Sequence, residues 1–284
     1  MPELPEVETT RRGIEPVILN RTLQTMQIRE RRFRWPIPDE LPQVVIDQPL
    51  LAVGRRAKYL LWSFPNGTII IHLGMSGSIR RVQADSFWNL HDHVEWTFEG
   101  GQVLRLHDPR RFGAVLWHPI EDGDILSHPL LKNLGVEPMG SEFTAKLLYD
   151  QTRNQRIHIK QSLLNGKIVV GVGNIYASES LFRARIHPET LAQNLTRPQA
   201  TRLFNAINQT LEAALTSGGS TLRDYMNPNA QPGAYFELHA AVYGKADEPC
   251  PQCGTKIQRI VQNQRATYFC PKCQRRPRTR KSAP

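Results

Sequence analysis

The four cysteines of the chain fall in two pairs, Cys250-x-x-Cys253 and Cys270-x-x-Cys273, with sixteen residues between them. No other feature restricts the fold as tightly. Each pair can turn two thiolates toward one point, and four thiolates at this spacing complete the tetrahedral shell that zinc prefers. A closed shell leaves no open position for water or substrate, so a zinc ion here is structural. The residues between the pairs then form a β-hairpin, with Arg265 of Gln264-Arg265-Ala266-Thr267-Tyr268-Phe269 at its tip or flank. A disulfide framework is the poorer reading for a long chain with few cysteines and no export signal.

The 284 residues are enough for two packed domains, or for one large domain and a small module. Against 26 acidic side chains stand 36 basic ones, a net charge of +10. That surplus points to a polyanionic partner, either nucleic acid or an anionic membrane surface. No apolar run reaches the roughly 18 residues that a spanning helix needs. The chain starts with acidic residues where a secretory signal would have a basic and then an apolar stretch. A soluble, cytoplasmic protein is expected.

Residues 5–19 suit an amphipathic helix, with Pro5 in the first turn and Glu6 and Glu8 near the positive end. Val7, Ile14, Val17 and Ile18 form its apolar stripe. Short β-like runs follow at 44–46, 59–64, 68–73, 94–98, 103–106 and 114–117. Pro65-Asn66-Gly67 and Glu99-Gly100-Gly101 read as hairpin turns, and strands at this spacing predict a β-sandwich or barrel. Residues 119–145, rich in proline and glycine, are the natural linker. From 144 to 216 apolar residues recur three and four apart, as in a helical domain. Between 217 and 248, glycine, asparagine and proline predict a mobile loop. The tail from Arg275 to Lys281 has five positive charges and no apolar anchor, which predicts disorder and non-specific DNA affinity.

Several residues carry chemistry of their own. Removal of Met1 would leave Pro2 with a secondary amine, and an α-amine titrates near about 8. Its neutral fraction can attack a sugar aldehyde carbon and form an imine. Glu3 beside it is a carboxyl placed for proton transfer. The alternative is structural: the prolines stiffen a helix entry and Glu3 complements its dipole. Lys58, at the edge of an apolar strand after Arg55-Arg56-Ala57, can bind phosphate or donate a proton, although basic clusters are commonly solvated surface. His72-Leu73-Gly74-Met75-Ser76-Gly77-Ser78 and His107-Asp108-Pro109-Arg110-Arg111-Phe112-Gly113 are both tight turns. Together they suggest a wedge. Met75 and Phe112 enter a base stack while Arg110 bonds an orphaned base, which offsets the cost of flipping a nucleotide. A lone methionine such as Met75 is far more often core filler than a functional residue. His91-Asp92-His93 is not read as a metal site, because successive strand side chains face opposite ways. Asn165 to Tyr176 reads as a glycine turn between helices that can offer backbone N–H groups to phosphate.

The opening PELPEVE, the two tight turns, GVGNIYASE and the four-cysteine hairpin together resemble the formamidopyrimidine-DNA glycosylase family of base-excision repair enzymes, over residues 2–273. The resemblance implies an α+β multidomain fold. An N-terminal β-sandwich with an N-terminal helix would span 1–130, and a helical helix-two-turn-helix domain 131–220. A lesion-recognition loop and connector (221–245), a four-cysteine zinc-finger β-hairpin (246–274) and a basic tail (275–284) would follow. The implied activity is that of a bifunctional DNA glycosylase and abasic-site lyase, with one structural zinc. It would act as a monomer on damaged double-stranded DNA in the cytoplasm, associated with the nucleoid and not with a membrane. Its substrates would be oxidised purines, chiefly 8-oxoguanine and formamidopyrimidines.

The same resemblance assigns roles to residues. Pro2 would be the nucleophile and Glu3 a proton shuttle. Lys58 would contact DNA and donate the proton in β-elimination. Met75, Arg110 and Phe112 would fill the hole left by the everted nucleotide, and His91 would lie at the DNA. Lys160 and Asn174 would contact phosphate, with Arg156 standing where relatives carry a basic stretch. Arg265 would hold the damaged nucleotide's phosphates. A guanidinium with a pKa above about 12 is a poor acid, so electrostatic help to the leaving phosphate suits it better than proton donation. Two rivals remain. An endonuclease VIII type would prefer oxidised pyrimidines, but that group typically has glycine at the position of Leu4. A zinc-ribbon DNA-binding module without catalysis would keep the charge, the wedge and the cysteines, yet borohydride could not trap it on damaged DNA.

Overall fold

The structure, a computed structural model, describes residues 2–220, 228 and 233–276. Residues 221–227 and 229–232 of the expected mobile loop, the tail beyond Arg276 and Met1 lie outside the described residues. The chain forms two compact units, Met1–Asn133 with Ala214–Leu238 and Leu134–Ala213 with His239–Pro284.

In the first unit, helix α1 (Leu4–Ile18) starts from Glu3 as N-cap, with Glu6 completing a capping box and Pro5 in the first turn. It ends where Leu19 turns extended and Asn20 takes a φ of 61°. Leu4, Val7, Ile14 and Ile18 form its buried face. Strand β1 (Leu23–Ile28) follows, then a helix α2 (Leu41–Val45). The expected strand at 44–46 is instead the end of this helix, Val44 and Val45, and its extended C-cap, Ile46. Pro42 sits in the first helical turn, and Leu41 and Val45, four apart, bury one face.

Strands β2 (Ala52–Arg56), β3 (Tyr59–Phe64) and β4 (Gly67–His72) pair in sequence, and β8 (Ala114–Pro119) adds to β4. The second sheet runs β1, β6 (Asp92–Phe98), β7 (Gln102–His107) and β5 (Ser78–Val82). All these pairings are antiparallel. Both expected hairpin turns form: Phe64 pairs with Gly67, and Phe98 with Gln102 across Gly100 and Gly101, whose φ values of 76° and 70° suit glycine. The sheets face each other across one apolar core, where Trp62 of β3 meets Trp96 of β6 at 5.0 Å between ring centroids.

The second unit holds helices α3 (Ala145–Thr152), α4 (Ile159–Leu164), α5 (Asn174–Arg183) and most of α6 (Arg197–Thr216). Between α4 and α5 the chain turns through Gly166 and Gly171, at φ 68° and 77°, and Gly173 caps α5. Buried Glu179 on α5 accepts the backbone N–H groups of Ala241, Val242 and Tyr243 at 2.8–2.9 Å, which fixes the approach to the last hairpin. That hairpin pairs β9 (Gln258–Gln262) with β10 (Arg265–Phe269). Its two turn residues, Asn263 and Gln264, have φ 46° and 61°, the geometry of a tight I′ hairpin. Among the described residues, no helix is long and apolar enough to cross a membrane.

Candidate functional site

In the first unit the candidate chemistry gathers at the start of α1. The Glu3 backbone N–H donates to Glu6 Oε2 at 2.7 Å, and the Ser220 backbone N–H donates to Glu6 Oε1, also at 2.7 Å. One buried carboxylate thus holds the residue after Pro2 and the residue that leads into the 221–232 segment. Ser220 bridges Ala234, so both ends of that segment are drawn to the same place. Gly219 lies at φ +86°, and a Cβ on it would come within 3.1 Å of Glu6 Oε1. Pro2 and Glu3 are buried at this point. Glu6 has no role in the sequence-based reading because a glutamate at the third helical position looks like ordinary capping.

Lys58 is half-buried in the tight turn between β2 and β3, after Ala57 at φ 54°. At the end of β4, His72 Nδ1 accepts the Gly74 N–H at 3.0 Å, which leaves the neutral ring's proton on Nε2. Burial, reinforced by the charges of Lys58 and Arg34, holds the His72 pKa down at about 4. A neutral hydrogen-bond donor therefore lies in the field of Lys58. The sequence quoted His72 as the first residue of the Met75 turn but gave it no task.

Met75, Arg110 and Phe112, the residues expected to form a wedge, are exposed in this unit. Met75 is 41% and Phe112 45% exposed, unusual for large apolar side chains and incompatible with core filling. The exposed Arg110 guanidinium stacks on the Phe112 ring at 4.7 Å. Half-buried His91 packs its ring against His93 and His107, at 6.4 and 5.8 Å between centroids.

In the second unit, Asn174 is the first residue of α5 and Arg156 is exposed in the loop before α4. Lys160 is not on the surface where a phosphate contact was expected: it is 1% exposed. Its ammonium donates to Asn174 Oδ1 at 2.6 Å, Thr267 Oγ1 at 2.7 Å and the Ala266 carbonyl at 3.2 Å. Asn174 Nδ2 donates to the same Ala266 carbonyl at 3.0 Å and to the Tyr243 hydroxyl at 3.1 Å. The lysine therefore joins the α5 N-terminus to β10, whose first residue is the exposed Arg265. Lysine reads as surface in any sequence, so only the fold could reveal this.

The sulfur atoms of Cys250, Cys253, Cys270 and Cys273 all lie within 4.8 Å of one another, and the four are free thiols. Cys250 and Cys273 are 3.9 Å apart and Cys253 and Cys270 are 3.5 Å apart. A tetrahedron with zinc–sulfur bonds of about 2.3 Å requires sulfur separations of roughly 3.8 Å, so the set fits zinc with little adjustment. Hydrogen bonds from Thr255 hold the Cys253 thiol down at about 6, whereas burial pushes the Cys270 thiol up and the Cys273 thiol up to about 12, so metal binding has to displace their protons.

Three family models match the chain in order. They are the formamidopyrimidine-DNA glycosylase N-terminal domain over residues 1–115, the formamidopyrimidine-DNA glycosylase H2TH domain over 134–226, and the zinc finger found in FPG and IleRS over 247–276. Fold, helix-two-turn-helix region and cysteine cluster thus define a zinc-finger DNA glycosylase. The formamidopyrimidine-DNA glycosylase of Bordetella avium (strain 197N) is 60% identical over 276 residues, covering 97% of this chain and all of that one. The Burkholderia lata protein of the same name is 52% identical over 277 residues, again covering 97% and 100% of the two chains. The chain belongs to the formamidopyrimidine-DNA glycosylase family. Among solved structures, the MutM (Fpg) protein from Thermus thermophilus matches with a TM-score of 0.86 and 38% identity, covering 96% of this chain and 98% of that one. A Lactococcus lactis Fpg mutant in complex with Fapy-dG containing DNA matches with a TM-score of 0.89 and 33% identity, covering 97% and 100%. The chain is therefore a DNA-repair glycosylase whose four cysteines suit one structural zinc ion.

Proposed function

We propose that this enzyme removes oxidised purines, chiefly 8-oxoguanine and formamidopyrimidines, from duplex DNA and then cuts the strand at the site it has made. The Lactococcus lactis complex with Fapy-dG containing DNA supports that substrate class. Pro2, freed by removal of Met1, attacks C1′ of the everted nucleotide, and the bond from C1′ to the base breaks. Glu3 gives a proton to the sugar ring oxygen, the ring opens, and an iminium ion joins C1′ to Pro2. This cation draws electrons toward C1′. Loss of a proton from C2′ then expels the 3′ phosphate, and a second elimination expels the 5′ phosphate, leaving a one-nucleotide gap. Lys58 serves the first elimination as proton donor, and Arg265 steadies the departing phosphate by charge.

Met75 and Phe112 fill the vacated stack and Arg110 pairs with the orphaned base, while His91, Arg156 and Asn174 contact the backbone. Lys160 acts through Asn174 and the hairpin. The divisions 1–130, 131–220, 221–245, 246–274 and 275–284 then correspond to catalysis, DNA binding, lesion recognition, zinc finger and tail in a monomeric, cytoplasmic enzyme.

The observation that carries this reading is the Glu6 carboxylate, which ties Glu3 and Ser220 together beside Pro2. A helix N-terminus disfavours a nearby cation, which suits an amine that must be neutral to attack. Incubation with an 8-oxoguanine duplex should release the base and leave phosphate at both ends of the gap, and Glu3→Gln should impair base release more than cleavage at a preformed abasic site. Cleavage of oxidised-pyrimidine duplexes with 8-oxoguanine left intact would favour the endonuclease VIII type instead.

A further inference from the structure

We propose that Asp108 is the positioning residue that locks the three DNA-facing turns of the first unit together, so that its carboxylate serves nucleotide eversion and not bond cleavage. This rests on the wedge reading of Met75, Arg110 and Phe112. Asp108 is 0% exposed, although it stands in a polar turn. Its Oδ1 accepts the hydroxyl of Ser76, the neighbour of Met75, at 3.1 Å, and the Arg110 N–H at 3.3 Å. Its Oδ2 accepts the N–H of Gly113, the neighbour of Phe112, at 2.8 Å. The backbone extends the knot: Asp108 N–H donates to the His91 carbonyl at 3.0 Å, and its own carbonyl accepts from His93 Nε2 at 3.0 Å. The turns bearing Met75, His91 and the Arg110–Phe112 pair therefore all end on one buried residue.

The turns also touch backbone to backbone. A Cβ on Gly74 would lie 2.5 Å from Gly113 N, and one on Gly113 would lie 2.6 Å from the His72 carbonyl and 3.0 Å from Asp108 Oδ2. Arg111, between the two wedge residues, takes a left-handed φ of 54° that a non-glycine residue resists. Its N–H bond to the Asp108 carbonyl at 3.1 Å helps to keep it there. An apolar tip can enter a base stack only if its base does not yield. Asp108 supplies that rigidity for Met75 and Phe112 at once, because a carboxylate is acceptor-only and can take N–H and O–H donors from both sides.

Asparagine should preserve most of this. Its carbonyl can accept from Gly113, and its amide can donate to Ser76, whose hydroxyl turns to accept, so that only the longest of the three bonds, from the Arg110 N–H, is lost. Alanine removes the acceptor from the buried Ser76 hydroxyl and Gly113 N–H and from the partly buried Arg110 N–H. The test compares single-turnover rates on an 8-oxoguanine duplex and on a duplex with a preformed abasic site, together with the fluorescence of 2-aminopurine next to the lesion as a report of unstacking. Losing hydrogen bonds to a charged acceptor, Asp108→Ala should slow excision by roughly tenfold or more and abolish the unstacking signal. Abasic-site cleavage should fall much less, and Asp108→Asn should recover most of both losses. Phe112→Ala is measured alongside, and the double variant should show little loss beyond the larger single one. If Phe112→Ala shows no preference between substrates, the wedge reading fails and this proposal with it. If Phe112→Ala is selective but Asp108→Ala slows both substrates equally, the proposal alone fails. Should Asp108→Ala not fold, Ser76→Ala cuts only the link to the Met75 turn. It should then show the same selectivity at about threefold, the size of one hydrogen bond, and an equal effect on both substrates would overturn the proposal.

Discussion

The buried ammonium of Lys160 donates to Asn174 Oδ1 at 2.6 Å and to Thr267 Oγ1 at 2.7 Å, so one cation ties the first turn of α5 to the zinc hairpin. A lysine in contact with phosphate and a lysine that orders other contacts give different salt dependences. Direct phosphate neutralisation adds about 0.9 to the slope of log K against log salt. Lys160→Met should therefore weaken DNA binding by roughly tenfold, through lost hydrogen bonds to a charged donor, while leaving that slope unchanged. A slope reduced by about one with duplex DNA would show that Lys160 meets phosphate itself.

Zinc is expected to be a folding element of the hairpin alone. The cysteines share a small core with Phe182, Val242 and Ile257, and Gln274 ties Cys270 N–H to the Ile186 carbonyl, with both bonds at 2.9 Å. Structural zinc in finger peptides contributes about 10–16 kcal/mol of apparent binding energy, far more than these contacts. Cys253→Ser should lose the metal and DNA binding, while the tryptophan fluorescence of the β-rich unit stays native. Full DNA affinity in metal-free protein would contradict this.

Acid should weaken α1 through Glu8. Burial pushes its carboxyl up, but hydrogen bonds from Arg11, Arg12 and Arg55 outweigh that and hold it at about 2. Because this lies below the ordinary value near 4.5, the stabilisation is complete above pH 4.5 and is lost as pH falls toward 2. Glu8→Gln should cost on the order of 3 kcal/mol near neutrality, read from urea unfolding followed by tryptophan emission. The gap to the parent protein should close between those two pH values. A gap that stays constant through this range would rule out the charge as its source.

What the sequence reveals follows physical lines. Central strands β3, β4, β6 and β7 carry several apolar residues each and are visible in the pattern, as are the glycine hairpin turn and the cysteine spacing. The strands it misses, β1, β2 and β5, are all sheet edges. Leu23–Ile28, Ala52–Arg56 and Ser78–Val82 each bury at most two residues, and their polar side chains hide them. The stretch at 44–46 was ambiguous because three apolar residues suit a strand or a helix turn equally well. The exposure of Phe112 and Arg110 was legible from the tight turn that carries them. Glu6, Asp108 and the setting of Lys160 were not, since their partners lie 214, 32 and 107 residues away.

The most direct test of the central claim is where the enzyme becomes attached to DNA. Borohydride added during reaction with an 8-oxoguanine duplex reduces an imine to a stable amine, and peptide mapping then locates the linked residue. Pro2 should carry the adduct. Extending the N-terminus by one residue buries its nitrogen in an amide and should abolish trapping. An adduct on Lys58 in the unmodified protein, or trapping undiminished by the extension, would contradict the account.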